Sequence, residues 1–156
     1  MAPVEMPARE SGIAAATALA SAVLPVRVYY EDTDAGGVVY YANYLRFVER
    51  GRTEWLRALG YDQGRLATEL GVVFAVRSVA AEYLRPARLD DRLNVCTAVE
   101  SHGRAAIVFA QHVELDDNPG GGRLFEATVK VVCLDRERFK PVAIPPALLE
   151  RIRNSS

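Results

Sequence analysis

Residues 26–60 read VRVYYEDTDAGGVVYYANYLRFVERGRTEWLRALG, and the change of texture along this stretch decides the fold. The opening residues, Val26 to Glu31, are β-branched and aromatic, the composition of a first strand. Asp32-Thr33-Asp34-Ala35-Gly36-Gly37 follow. Two acids beside two glycines mark a loop that needs unusual backbone angles or close backbone approach. From about Tyr40 to Gly60 the pattern becomes helical: Tyr44, Phe47, Val48, Gly51, Trp55 and Leu59 recur at the spacing of one helix face. Leu45 and Leu56 lie off that stripe, which predicts a helix covered on more than one side. Gly51 costs about 1 kcal/mol relative to alanine inside a helix. Its expected role is close approach to a sheet, and Gly60 is a natural helix stop.

Downstream, a shorter helical piece is expected at about 62–69. After Gly71, the runs 72–84, 92–101, 104–115 and 123–135 are rich in Val, Ala, Leu and Phe and read as four further strands. His102-Gly103 is a tight turn, and Asp116-Asp117-Asn118-Pro119-Gly120-Gly121-Gly122 is a flexible one. Short turns between consecutive strands predict an antiparallel meander. A final amphipathic piece occupies 146–153. The class is α+β: a curved antiparallel sheet that buries one long central helix and curls around it. The other face and the edges of the sheet need cover, so a dimer is the minimum expectation.

Upstream, residues 11–24 are small and apolar, and Ala20-Ser21-Ala22 imitates a signal-peptidase site. Glu5 and Glu10 stand against only Arg9, the run is rich in alanine rather than leucine, and it is too short to span a bilayer. Residues 1–24 are read as a disordered N-terminal extension and residues 25–156 as the folded domain. A chain of 156 residues suits one such domain. With a net charge of -1 it has no excess of cations for a nucleic-acid backbone, so no nucleic-acid partner is expected. The two cysteines, Cys96 and Cys133, lack CxxC or Cys/His spacing and read as buried or half-buried free thiols. Nothing in the spacing sets His102 or His112 beside either, and no metal site is expected.

The chemistry centres on Asp34. An aspartate carboxylate, ordinarily ionised at neutral pH, can attack a carbonyl carbon or activate a water. The helix start that follows offers unpaired N–H groups and a partial positive charge. Such donors can hold the oxyanion formed when a thioester is attacked, and losing one costs about 3 kcal/mol of transition-state stabilisation. No metal or cofactor is required. An acid before a glycine pair is also a common turn or capping residue, so local chemistry alone leaves both readings open.

The whole segment Val28–Arg52 resembles the signature of the 4-hydroxybenzoyl-CoA thioesterase family, nearest to its branch associated with the Tol-Pal cell-envelope system of Gram-negative bacteria. Ala81–Asp91 and the ending from Val129 to Pro141 fit as well, so the resemblance spans roughly residues 25–146. It implies a hotdog fold, homodimers paired into tetramers, and active sites at the dimer interface. The family's catalytic aspartate is the second acid of Asp-x-Asp-x-x-Gly and falls on Asp34. Its oxyanion donor, a backbone amide at the start of the central helix, falls on Tyr41. Gly37 and Val38 are assigned to substrate binding, with Asn43 and Tyr44 as pocket residues; helix packing is an equal reading for Tyr44. Asp32 is expected to organise the loop. Glu49 is a candidate second carboxylate, with a structural hydrogen-bonding role preferred.

The resemblance implies hydrolysis of an acyl-CoA, or of an acyl-carrier-protein thioester, to a carboxylate and a free thiol. Coenzyme A is then part of the substrate, and no separate cofactor is expected. Arg104, Lys130, Arg136, Arg138 and Lys140 are candidates to meet its phosphates. A cytoplasmic place, or one peripheral to the inner membrane, is implied, with no transmembrane span. Hotdog hydratases and dehydratases pair a histidine with an acid, and no histidine lies near the Asp34 loop. The alternative of another class is a non-catalytic module that binds acyl thioesters or acyl-carrier protein.

Overall fold

The computed structural model describes residues 21–155. The chain runs through strand β1 (Ser21–Arg27), one 3-10 turn (Tyr30–Asp32) and helix α1 (Asn43–Ala58). Helix α2 follows, its first turn Gln63–Arg65 continuing into a wider π turn, Leu66–Leu70. Strands β2 (Val72–Tyr83), β3 (Arg92–His102), β4 (Ala106–Leu115) and β5 (Arg123–Asp135) lead to helix α3 (Pro146–Asn154). One five-stranded sheet has the order β1-β3-β4-β5-β2, with every pair antiparallel.

The expected first strand is displaced. Strand β1 begins at Ser21, so Ser21–Leu24, assigned to the extension, belong to the sheet; residues 1–20 lie outside the described residues. The reason is alternation: Ala22, Leu24 and Val26 pack against the core, while Val23 points outward. Pro25 is tolerated because β1 is an edge strand among the described residues, and proline has no N–H to give a ladder. At the other end, the strand does not reach Glu31. The Asp32 side chain accepts the Tyr29 N–H at 2.8 Å and folds Tyr30–Asp32 into a turn.

Helix α1 starts at Asn43 rather than near Tyr40, because Tyr40 is held outside it. The Tyr40 N–H bonds to the Asp32 carbonyl, and its own carbonyl accepts from Asn43 N–H. Every residue of the expected stripe is buried, from Tyr44 to Leu59. Leu56 is buried off the stripe, as anticipated, whereas Leu45 is exposed. The helix lies against β1, β3 and β4. Gly51 is the point of closest approach: a Cβ there would stand 2.7 Å from Thr97 Oγ1 and 2.9 Å from Val95 Cγ1. Register shifts between Val76 and Ser78 in β2, and between Val99 and Ser101 in β3, bend the sheet around the helix. Edge strand β2 pairs with β5 alone among the described residues and carries exposed Val76 and Val79.

Candidate active site

The acid loop is a small hairpin built on Asp34. The Asp34 N–H bonds to the Val38 carbonyl at 2.9 Å, and the Gly37 N–H returns to the Asp34 carbonyl at 3.0 Å. Gly37 has φ +78°, a backbone state that favours glycine. A bridge from Thr33 to Val39 closes this hairpin, and one from Val38 to Arg88 docks it on the segment after β2. Asp34 itself is exposed, and one carboxylate oxygen accepts the Gly36 N–H at 2.8 Å. Its other oxygen has no hydrogen-bond partner among the described residues.

Asp32 meets the opposite environment. It is 6% exposed, and its carboxylate accepts from Tyr29 N–H at 2.8 Å and from Asn43 Nδ2 at 2.6 Å. Those bonds tie the loop to the first residue of α1. Asn43 is therefore buried and engaged with Asp32, and it reaches Asp34 only through the loop it holds. Tyr44 is buried too: its ring stacks on Phe125 with centroids 5.1 Å apart, and its hydroxyl accepts the Ala87 N–H at 2.9 Å. Burial raises the Tyr44 phenol above its ordinary pKa, so it stays a neutral group.

Tyr41 lies two residues before α1, in the turn that feeds it. Its carbonyl accepts from the Tyr83 hydroxyl at 3.1 Å, and its ring meets that of Tyr83 edge-on at 6.1 Å. No acceptor among the described residues takes the Tyr41 N–H. It is thus an open donor at a helix entrance. Tyr83, which the sequence reading passed over, fixes this peptide from the end of β2. Ala87 is a second unassigned residue: its carbonyl takes the Val39 N–H at 2.9 Å, so the Arg85–Arg88 segment clamps the loop from beneath. A tyrosine ending an apolar strand before Leu84-Arg85-Pro86 was the available signal for both.

Glu49 stands apart from the loop. It borders a cavity of about 240 Å³ with Arg52, Trp55, Phe74, Ile107 and Phe109 among its walls. No residue of the acid loop lines this cavity. Arg52 donates to Gln111 Oε1 at 2.9 Å, and burial lowers its pKa while Glu49 opposes the shift. The Trp55 indole N–H is buried and has no partner among the described residues. Of the basic candidates, Arg104, Arg136, Arg138 and Lys140 are exposed, and Lys130 is half-buried in β5. The Arg136 guanidinium bonds to the Ala67 carbonyl at 3.1 Å.

The cysteines are free, Cys133 buried and Cys96 half-buried. His112 lies in β4, as read, whereas His102, read as a turn residue, is the last residue of β3 and pairs with Ile107. One expectation is overturned: the sheet register sets Cys96 directly opposite His112, with Glu114 two residues on. Spacing could not reveal this, because pairing between strands is a long-range property.

A family model described as the thioesterase-like superfamily matches residues 28–152. The acyl-CoA thioesterase YbgC of Haemophilus influenzae is 50% identical over 121 residues, covering 78% of this chain and 86% of its own length. The acyl-CoA thioester hydrolase YbgC of Escherichia coli O6:H1 is 46% identical over 129 residues, covering 83% and 93%. Among solved structures, a probable thioesterase from Bartonella henselae aligns with a TM-score of 0.74 at 34% identity, over 81% of this chain and all (100%) of that one.

Proposed function

The chain belongs to the thioesterase-like superfamily and has its hotdog fold, and from that premise we propose that it is an acyl-CoA thioesterase whose reacting carboxylate is Asp34. The observation that carries the role of Asp34 is its placement. It is an exposed acid, steadied through one oxygen by Gly36 N–H, in a loop that runs directly into the open Tyr41 N–H and the start of α1.

In this reading Asp34 either adds to the thioester carbonyl carbon or takes a proton from the water that does so. The Tyr41 amide receives the carbonyl oxygen as it gains negative charge. Collapse breaks the C–S bond, and coenzyme A leaves as its thiolate. If Asp34 added first, water then hydrolyses the resulting anhydride. Gly37 and Val38 border the approach to the acid, Asn43 holds the loop through Asp32, and Tyr44 backs the helix entrance. No cofactor takes part. The apolar wall of the cavity beside Glu49, with Trp55, Phe74, Ile107 and Phe109, suits an acyl chain, and the cavity is assigned to the site through assembly, with the loop of one protomer meeting the helix of another. Homodimers paired into tetramers, a cytoplasmic or membrane-peripheral place and a link to the Tol-Pal system belong to the same proposal, carried by the resemblance of Val28–Arg52. No helix among the described residues is long and apolar enough to cross a membrane.

The test is a panel of acyl-CoAs and acyl-carrier-protein thioesters, followed by release of free thiol. Turnover is expected, and Asp34→Asn should lower it by about two orders of magnitude or more. Unchanged turnover in a folded Asp34→Asn protein removes Asp34 from the chemistry. Binding of acyl-CoA without any hydrolysis favours the non-catalytic acyl-thioester module instead.

A further inference from the structure

Val95, Thr97 and Gln111 face Gly51 of α1, so their neighbours Cys96 and His112 point to the other face of the sheet. Glu114, two residues beyond His112, shares that face. One atom from each of the three, the Cys96 Sγ, a His112 ring nitrogen and a Glu114 carboxylate oxygen, all lie within 4.8 Å of one another. We propose that Cys96, His112 and Glu114 bind a divalent transition-metal ion of the zinc type, with a water as fourth ligand.

The geometry is near that of a four-coordinate ion. His112 Nε2 and Glu114 Oε1 are 3.4 Å apart. Tetrahedral bonds of about 2.0–2.1 Å to nitrogen and oxygen place those atoms about 3.3 Å apart. A Zn–S bond of about 2.3 Å calls for a sulfur about 3.6 Å from each of the others, an inward shift of about 1.2 Å at most from the 4.8 Å limit. The donor set, one thiolate, one imidazole and one carboxylate, suits zinc and excludes calcium and magnesium, which want oxygen ligands.

Charge balance agrees. When the metal–sulfur bond forms, the Cys96 thiol proton passes to solvent. The thiolate and the Glu114 carboxylate then neutralise the divalent ion, with His112 contributing no charge. The neighbouring Arg123 is offset by Glu126, its guanidinium donating to the Glu126 carboxylate at 3.1 Å. Burial, and then the Arg123 charge, holds the His112 pKa below its ordinary value, which leaves the ring in the neutral form a metal requires. Burial pushes the Cys96 thiol up to about 11, so an ion must displace a proton that is held firmly. The ligands are also supported: Glu114 Oε1 accepts the Gly120 N–H at 3.1 Å, which ties the carboxylate to the turn between β4 and β5. Against a hydrogen-bond cluster with no metal stands the half-buried thiol, which such a cluster does not need.

This proposal is independent of the thioesterase reading. Cobalt(II) added to the metal-stripped full-length protein is the probe. One equivalent should bind, giving a thiolate-to-cobalt charge-transfer band in the near ultraviolet and the visible bands of four-coordinate cobalt. Zinc should displace it. Cys96→Ser should abolish the charge-transfer band, Cys133→Ser should keep it, and His112→Gln should weaken cobalt affinity by about tenfold or more. No charge-transfer band in the wild-type protein, or a band that survives in Cys96→Ser, overturns the assignment. If Cys96→Ser fails to fold, Glu114→Gln with the same titration decides: affinity unchanged from wild type also overturns it.

Discussion

Removing the Asp32 carboxylate orphans the Tyr29 N–H and the Asn43 amide, one of them deep in the structure. An unsatisfied buried donor costs about 1–3 kcal/mol, so Asp32→Ala should lower unfolding free energy by that amount in urea titrations. Turnover should fall with it, because the loop that carries Asp34 loses its tie to α1. Gly36 predicts a different pattern. A Cβ at this exposed position would stand 3.2 Å from Asp34 Oδ1, so the carboxylate must shift by a few tenths of an ångström. Misplacing a reacting group by 1 Å costs about 100-fold, so Gly36→Ala should lose several-fold in kcat with stability nearly unchanged. Equal losses of stability in the two variants would argue that Gly36 matters only for folding. The separate fates of the two acids were partly legible beforehand. The motif singled out Asp34, but only the turn geometry explains why Asp32 is withdrawn from solvent. The partners of Tyr41 and Val39, Tyr83 and Ala87, come from more than 40 residues away and leave no local signature.

At the scale of elements, Gly51 is the contact that sets the distance between α1 and the sheet. Gly51→Ala gains about 1 kcal/mol of helix propensity but forces a methyl into Thr97 and Val95, and overpacking of this kind costs about 1–3 kcal/mol. The expected outcome is a net loss of stability, read as a lower midpoint of denaturation; a rise would mean that the helix shifts freely on the sheet. That glycine was legible as a close approach from its place on the apolar stripe. The strands after Gly71 were legible for a similar reason: long β-branched runs end at strong turn residues, and Gly103 and Asp116–Gly122 fall where the turns are found. Strand β1 was not, because its inward residues include the small Ala22 and, between Ser21 and Arg27, its outward ones are the apolar Val23 and Pro25. The fold of Val28–Asp32 was hidden too, since a strand-like composition there is overruled by one aspartate side chain.

For the whole molecule, the apolar residues on the unpaired edge of β2, Val76 and Val79, are 50% and 43% exposed. If copies associate through that edge, Val79→Lys should shift sedimentation velocity toward the monomer. Thiol release should fall in parallel, since the proposed site needs a second helix. A variant that dissociates yet keeps full turnover would place the whole site within one protomer. The opposite edge of the sheet has its own consequence. Strand β1 carries Pro25, which has no hydrogen to offer a newcomer, so its outer row of donors is interrupted. A sheet that can be extended from one side alone is a terminator of its own polymerisation: two copies join and the open side is used up. If copies pair through β2, the proline thus acts as a stop against fibre growth from the opposite edge.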